Sequence, residues 1–362
     1  MAKKLGTWAC GCLVLLLATG LCSLAQTAVG CRCSCGKTLP PPCSDEACEA
    51  ACTSNFSSAP APFERGPDVN TLRERAEAGD PQSQTLLGSM YAGGEKGLPQ
   101  DDRQAVSWYR KAAEQEYPAA ECLLGKEYEN GKGGLPKDDV QAASWYRKAA
   151  ERGEKTCQLD LGLMYEEGRG GLPRNDMQAM LWFRKAAEQG VSRAQYHLGA
   201  MYAEARGGLP KDDTQAVSWF RKAADEGYAP AQNSLGLMYK KGRGGLSPDD
   251  AQAAYWYRRA AEQGFPTAQN NLAWLYATSS NPQIRNPELA VQFAQKAVAA
   301  ENNADNFDTL AQAYYVHQEF QKAVQAEQQA VNLAPNEQKP EFQARLKKFE
   351  RARQLGQAVT EE

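Results

Sequence analysis

Histidine is nearly absent from this chain: the 362 residues include only His197 and His317. Because the two lie far apart in the sequence, the chain offers little material for Ser–His–Asp triads, Cys–His pairs or H-E-x-x-H zinc motifs. His197 lies inside a repeated phrase, where we expect a structural histidine rather than a catalytic base. Charge of one sign is also lacking, since the net charge is only −3, and nothing in the composition indicates a nucleic-acid partner.

Long apolar runs are missing outside residues 10–25. Even there, the run from Leu13 to Leu17 is too short and too interrupted for a membrane span. Two lysines precede this run, and small residues that suit a cleavage site follow near Ala25 and Ala28. This layout is typical of a secretory signal peptide. We therefore expect residues 1–30 to be removed and the mature protein to be exported, to the periplasm, the cell envelope or the outside of the cell.

Cysteine is abundant and unevenly placed. Three of the eleven cysteines lie in the signal region, and six crowd into the next segment: Cys31, Cys33, Cys35, Cys43, Cys48 and Cys52. Six cysteines allow three disulfides, whose pairing the sequence does not assign. In one alternative, Cys31 is the lipidated cysteine of a bacterial lipoprotein and attaches the chain to a membrane. In another, the cysteine thiolates bind a metal, although no histidine lies near to complete a common zinc site. With the linker rich in Ser, Ala and Pro that follows, this segment covers residues 31–66.

The middle of the chain is built on a 37-residue period. A tryptophan recurs in near-copies of the phrase SWYRKAAEQ, at Trp108, Trp145, Trp182, Trp219 and Trp256. A second phrase, such as LLGSMY, precedes each copy. In both phrases apolar and small residues recur at helical spacing, so the unit is predicted to be two helices and two joints. We expect the Trp/Tyr series to pack in the core rather than to bind a ligand.

The joints carry start and stop signals for these helices. An Asp or Asn stands seven residues before each marker aromatic, where it can accept hydrogen bonds from the first helical turn: Asp101, Asp138, Asn175, Asp212, Asp249 and, in a sixth copy marked by Phe293, Asn286. Glycines able to take the left-handed conformation end the first helices: Gly94, Gly131, Gly168 and Gly242. Ala205 occupies this place in the fourth copy, where we expect strain.

Together, the phrases LGxMY, GxGGLPxD and AxxWYRKAAEQG resemble the Sel-one-like repeat (SLR), a relative of the tetratricopeptide repeat. The resemblance implies an all-α fold, a right-handed α-α superhelix of antiparallel helix pairs. It places a half-repeat cap and six such repeats in residues 67–300. Residues 301–338 match a tetratricopeptide repeat, with Glu327 where an aromatic is usual. Residues 339–362 are predicted to be a C-terminal capping helix, because an array must cover its last apolar face.

The resemblance also suggests where a partner binds. In tetratricopeptide-like arrays the first helices line an inner groove, at positions three before, one after and four after the repeat glycine. On this chain the most distinctive side chains in these rows are Tyr196, Asn233, Lys240, Asn270 and Trp274. The two Asn and the Lys are suited to hold an extended peptide by its backbone. The simpler interpretation is that they are solvated polar residues.

The sequence favours an exported, non-enzymatic scaffold for a protein or peptide partner. We expect a monomer with no cofactor, no metal and no nucleic acid. The alternative is an enzyme of the SLR group that binds or hydrolyses β-lactams or cell-wall peptides. Its one S-x-x-K match, from Ser34 to Lys37, lies among the cysteines and lacks SDN and KTG partners. A third interpretation, for a eukaryotic source, is an endoplasmic-reticulum adaptor.

Two further cysteines, Cys122 and Cys157, fall on the first helices of successive repeats. In an oxidising compartment they can form a disulfide between neighbouring units. Otherwise they serve as small buried apolar residues.

Overall fold

The computed structural model describes residues 68–358 and, before them, only the backbone of two short strands. The strands, β1 (Cys31–Arg32) and β2 (Thr38–Leu39), pair antiparallel with Cys31 opposite Leu39. They belong to a first compact unit, Met1–Asp68, and form a small β element that the all-α prediction did not include. The second unit, Val69–Glu362, contains the repeats.

Within residues 68–358 the chain forms sixteen helices, and each packs against the next along the sequence. The first helices of the units are α2 (Pro81–Gly93), α4 (Pro118–Asn130), α6 (Lys155–Glu167), α8 (Ser192–Glu204), α10 (Ala229–Lys241), α12 (Pro266–Thr278) and α14 (Ala304–Val316). The second helices are α3 (Asp102–Ala113), α5 (Asp139–Glu151), α7 (Asp176–Glu188), α9 (Asp213–Asp225), α11 (Asp250–Glu262), α13 (Pro287–Ala300) and α15 (Phe320–Leu333). Helix α1 (Val69–Glu77) precedes the pairs, and α16 (Lys339–Leu355) follows them. The predicted solenoid of helix pairs is confirmed.

The predicted helix ends are confirmed as well. All six Asp or Asn side chains cap a second helix, accepting backbone N–H groups of its first turn. Gly94, Gly131, Gly168 and Gly242 end their helices in the left-handed conformation. Ala205 holds this conformation too, with φ of 56°, at a cost of about 1 to 2 kcal/mol for a residue with a Cβ.

The contact that joins the two helices of a unit is made by the repeat glycine and an aromatic ring. In the third unit a Cβ added to Gly162 would lie 2.7 Å from two ring carbons of Phe183, which is fully buried. The same glycine–ring pair recurs in the other units of the period: Gly88 with Tyr109, Gly125 with Tyr146, Gly199 with Phe220 and Gly236 with Tyr257. The ring packs flat on the helix because glycine has no side chain.

The sixth unit shows the same constraint with both partners changed. Ala273 replaces the glycine, and the residue in the ring position is Ala294. Both alanines are fully buried. Ala294 is smaller than the ring it replaces, and it leaves space for Ala273, which is larger than glycine, as close packing requires. This explains why the sequence departs from the pattern at Ala273 without losing the fold.

The marker tryptophans lie at the seams between units. Trp182 of α7 packs against a cluster that joins Tyr146 of the preceding unit to Cys157 of its own unit. Trp108 and Trp256 are buried, whereas the three middle tryptophans are half-buried. A lysine ammonium lies 3.9 to 4.1 Å from the ring centre of four of them, from Trp108 to Trp219. The Tyr or Phe that follows each Trp is buried in every one of these five units. Of the Trp/Tyr series expected in the core, this second aromatic residue is therefore the consistent core member.

A ladder of buried glutamines also links the units. Each donates from Nε2 to a carbonyl of the preceding second helix or of α1, at 2.9 to 3.2 Å: Gln84, Gln158, Gln195, Gln232 and Gln269. In three units a glutamine 31 residues later donates to its Oε1 at 2.8 Å. Where that later residue is Glu226 or Ala300, the Oε1 of Gln195 or Gln269 has no partner among the described residues.

The second unit replaces this glutamine pair by a charged pair. Glu121 is buried in place of the glutamine, and Arg152 stands 31 residues later with its Nη1 3.2 Å from Glu121. Burial raises the pKa of the Glu121 carboxyl, and Arg152 opposes that shift. This ion pair of Glu121 and Arg152 thus replaces the hydrogen-bonded glutamine pair of the other units.

Helix α16 covers the pair α14–α15, at the position predicted for the C-terminal cap. Its Phe342 and Phe349 are buried, the latter with its ring centre 5.0 Å from that of Tyr315. Arg345 of α16 donates to the carboxylate of Asp308. Glu327, the departure from the tetratricopeptide pattern, is fully buried; burial and Asp308 hold its pKa well above the usual range.

We predict that the effect of Gly162→Ala changes sign with the residue at position 183. With Phe183 present, the new Cβ overlaps the ring and costs about 1 to 3 kcal/mol of the free energy of unfolding. In a Phe183→Ala background the overlap is gone, and the better helix propensity of alanine gains about 1 kcal/mol. Urea unfolding of the four chains measures both. A destabilisation of equal size in both backgrounds would contradict the glycine–ring constraint.

We also predict that Arg152→Gln costs about 1 to 3 kcal/mol at neutral pH, because Glu121 then stays buried without its cation. The second change, Glu121→Gln, should restore most of this loss by recreating the glutamine pair. Since the folded-state pKa of Glu121 is raised, the deficit of Arg152→Gln should shrink as the pH falls and the carboxyl takes a proton. Urea melts at two pH values test this; a double variant no more stable than Arg152→Gln would refute it.

Candidate functional site

The groove face is the set of first-helix side chains at the three positions predicted to line the inner groove: three before, one after and four after the repeat glycine. In its C-terminal half, most of the predicted partner residues contact other residues of this chain. Tyr196 packs its ring against Phe220 and Tyr228, with ring centres 5.8 and 5.6 Å away, and burial raises its pKa. Asn233 accepts a hydrogen bond from Asn271 Nδ2 at 2.9 Å.

Lys240 is held by the second helix of its own unit. Its Nζ lies 2.7 Å from Oδ1 of Asp250 in the first turn of α11. Asp250 also accepts a hydrogen bond from Ser279 of the next joint. These two bonds keep the pKa of Asp250 below its usual range, against the effect of burial. Lys240 therefore stabilises the fold through this ion pair. A ligand would have to compete with Asp250 for the ammonium group of Lys240.

Asn270 and Trp274 lie on α12 and are less fully engaged. The Oδ1 of Asn270 is buried and has no hydrogen-bond partner among the described residues. Trp274 is 38% exposed and lines a cavity of about 540 Å³, together with Gln312 of α14 and Arg345 of α16. Of the five predicted side chains, Trp274 therefore offers the most surface to a partner.

A second cavity, of about 390 Å³, lies in the N-terminal half, between α4, α6 and α8. Lys126, Leu159 and Leu163 line it and occupy the predicted rows. Asp160 and Arg193 also line it, but sequence reasoning missed them. Asp160 stands two residues before the repeat glycine, one place outside the rows. The sequence did contain a signal that this position belongs to the variable surface, because other units have Leu, His, Ser or Asn there.

One wall of this cavity is a polar network centred on Arg169. Arg169 contacts Glu129 at 3.0 Å and Glu167 at 2.5 Å. Tyr146 donates its hydroxyl to the other oxygen of Glu129 at 2.8 Å. Arg169 also reaches Asp139 of the preceding unit at 3.4 Å. Arg169 is thus shared by three carboxylates, and these contacts hold it at the border of the cavity.

The remaining charged groups of the cavity have no such partner. Within residues 68–358, the side chains of Lys126, Asp160 and Arg193 form no hydrogen bond or ion pair. Lys126 and Arg193 are exposed at the rim, and Asp160 is half-buried. Burial, with Glu129 nearby, raises the pKa of Asp160 to about 6, although Lys126 and Arg193 act in the opposite direction. The cavity thus combines an apolar floor with charges available to a ligand.

The two histidines have structural contacts. His197 stacks on Phe183 with ring centres 4.8 Å apart, and its Nδ1 lies 3.3 Å from Glu166. Glu166 also pairs with Arg206 at 2.9 Å. His317 contacts Glu319 at 2.9 Å. The expected structural role of His197 agrees with these contacts.

Cys122 and Cys157 form a disulfide between α4 and α6, beside the N-terminal cavity. Of the two interpretations open for these cysteines, the structure favours the disulfide. The two sulfurs lie within 4.8 Å of a carboxylate oxygen of Asp160. Because the sulfurs are bonded to each other, they are not thiolates, and we assign no metal to this group.

The N-terminal predictions fall outside the described residues. These are the signal peptide, the S-x-x-K match and the side chains proposed for disulfides or lipidation: Cys31, Cys33, Cys35, Cys43, Cys48 and Cys52. Among the helices that the structure describes, none has the length and apolar character to cross a membrane.

The chain matches a family model described as Sel1 repeat. Six consecutive matches cover residues 81–117, 118–154, 156–191, 192–228, 229–265 and 266–302, more than half of the chain. Each of the six corresponds to one helix pair, from α2–α3 to α12–α13. A comparison with curated proteins gave no match.

Two solved structures show the same organisation. One is a protective antigen of uropathogenic Escherichia coli strains that displays an SLR fold, with 32% identity and a TM-score of 0.65. The match covers 81% of this chain, which spans only 61% of the length of that antigen. The other is a Sel1 repeat protein from Oxalobacter formigenes, with 32% identity and a TM-score of 0.55 over 63% of this chain and 96% of its own.

Removing the disulfide should loosen the array near the N-terminal cavity. It closes a loop of 35 positions, so Cys122→Ala with Cys157→Ala should cost about 2 to 4 kcal/mol. Urea melts with and without reductant measure the loss. Reductant should lower the stability of the starting chain but not of the double variant, which serves as the control for the N-terminal cysteines. An equal response of both chains would show that this bond adds no stability.

Proposed function

We propose that this chain, which belongs to the Sel1 repeat family, is an exported, non-enzymatic scaffold that binds a protein or peptide partner along its groove face. The observation that carries this proposal is the N-terminal cavity of the groove face. Side chains from three successive units line it, and three of their charged groups have no partner within the described part of the chain. Charges that the fold does not use are suited to bind a ligand.

The division between constant and variable residues supports a binding surface. The repeat glycines, the rings that pack on them and the ladder glutamines are buried and build the framework. The groove-face positions differ from unit to unit, from Leu159 to Tyr196 to Asn233. Solenoids commonly use such an extended surface to bind another chain. A cavity near each end of the face, at Lys126 and at Trp274, provides two points of attachment.

Export is supported by the N-terminal sequence and by the Cys122–Cys157 disulfide. Disulfides persist in oxidising compartments and are rare in the cytosol. The similar Escherichia coli protein is a protective antigen, which agrees with a location outside the cytoplasm. We propose residues 1–30 as the signal peptide and residues 31–66 as the Cys-rich segment and linker. The cysteines of that segment either form disulfides or anchor the chain through a lipid on Cys31.

The absence of catalysis is part of the proposal. Both histidines are engaged with glutamates, and the ring of His197 stacks on Phe183. Glu129 pairs with Arg169 and accepts the hydroxyl hydrogen of Tyr146, so these groups bind within the fold. Turnover of nitrocefin by the purified chain would instead favour the β-lactam-hydrolysing alternative.

We predict that a photo-cross-linking amino acid in place of Trp274 captures a specific partner in living source cells. Trp274 is 38% exposed on the groove face. The matched control carries the same cross-linker in place of Met177, which is 57% exposed on the second helix α7. A partner captured from position 274 and not from position 177 supports groove-face binding. Equal capture from both positions, or from neither, would contradict it.

A further inference from the structure

We propose that the N-terminal cavity is a pocket for an acidic side chain of the bound peptide, held between Lys126 and Arg193, and that binding strengthens at mildly acidic pH. This acidic-residue pocket consists of Lys126, Leu159, Asp160, Leu163 and Arg193. The inference rests on the proposed function, since it assumes that a peptide lies on the groove face. It adds the chemistry that selects the peptide and the condition that favours its binding.

The charges left over in the cavity determine the preferred ligand. Arg169 is ion-paired with both Glu129 and Glu167, so these three residues keep one negative charge in excess and offer no unpaired cation. Lys126 and Arg193 are not paired within the described residues, and neither is Asp160. Two available cations and one carboxyl therefore face a ligand. A carboxylate can pair with both unpaired cations, whereas a basic side chain finds a single unpaired carboxyl, that of Asp160.

The dimensions and the floor fit a side chain better than a large cofactor. The cavity volume of about 390 Å³ lies near the lower end of the range of about 300 to 1,000 Å³ for ligand pockets. Leu159 and Leu163 form an apolar floor that can cover the methylene groups of a glutamate. Because α4, α6 and α8 belong to three units, an extended peptide that crosses them reaches both cations.

Asp160 explains the pH dependence. The charged and titratable groups around it come from each neighbouring element: Lys126 and Glu129 on α4, Tyr146 on α5, Glu154 at the start of α6 and Arg193 on α8. Burial raises the pKa of Asp160 to about 6, so the carboxyl is ionised at neutral pH and protonated in mild acid. A ligand carboxylate is repelled by the ionised form, and the protonated form can donate a hydrogen bond to it.

The sign of the linkage follows from this arrangement. A bound carboxylate favours protonated Asp160 and so raises its pKa further. By linkage, the affinity for the acidic peptide rises as the pH falls through about 6. Replacing Asp160 with Asn removes the repulsion permanently. A basic ligand would behave in the opposite way, because it would need the ionised form.

The test uses a library of random linear peptides displayed to the full chain at about pH 7.5 and about pH 5.5. Selected peptides should be enriched in Asp and Glu. Their affinities are then measured by fluorescence polarisation with four chains: the starting chain, Lys126→Met with Arg193→Met, Asp160→Asn, and Lys137→Met. Lys137 is exposed in a joint and makes no ion pair within residues 68–358, so it is the matched control.

The double Met variant should weaken binding by about tenfold or more. Asp160→Asn should tighten it by about 5- to 10-fold at about pH 7.5 and remove the gain on acidification. Lys137→Met should bind like the starting chain. Circular dichroism of each variant verifies that the fold is retained, and these changes occur at the rim or at a half-buried position.

Three results would overturn the inference. Selected peptides rich in Lys and Arg, weakened by Asp160→Asn, would assign the pocket to a basic side chain. Peptides that bind all four chains equally would leave the scaffold function standing and place their site elsewhere. Failure to select any peptide would also undermine the proposed function, so the two failures are distinguishable.

Discussion

The fold depends on the contact between the repeat glycine of each first helix and the aromatic ring of the following second helix. At Gly162 the distance to Phe183 leaves no space for a methyl group. This close approach sets the spacing of the two helices and therefore the position of every groove-face side chain. Where the ring is absent, at Ala294, the glycine is absent too. The chain changes both partners together, which shows that volume is the property being maintained.

Polar contacts extend this order from one unit to the next. The glutamine ladder bridges consecutive pairs through buried amides, and the pair of Glu121 and Arg152 replaces it once. The tryptophans pack between neighbouring units. The disulfide between Cys122 and Cys157 joins two neighbouring first helices. With the framework fixed in this way, the groove face can vary in charge and size without altering the fold.

Local signals made most of the fold predictable. The caps at Asp101 and its equivalents and the left-handed position of Ala205 depend on a few neighbouring residues, so their pattern in the sequence sufficed. Contacts across helices were harder to predict. Nothing near Lys240 in the sequence indicates that Asp250, ten positions later, holds its ammonium group. Asp160 was missed because the rows taken from related repeats exclude its position, although its charge and its variation between units were visible.

The central claim is that the first helices, and not the second, form the binding surface. Amide hydrogen exchange of the full chain, with and without a bound peptide, measures this directly because it reports each helix separately. We predict slower exchange on α4, α6 and α8 around the acidic-residue pocket, with no change on α5, α7 and α9. Protection confined to the second helices, or no protection in the presence of saturating peptide, would contradict the account.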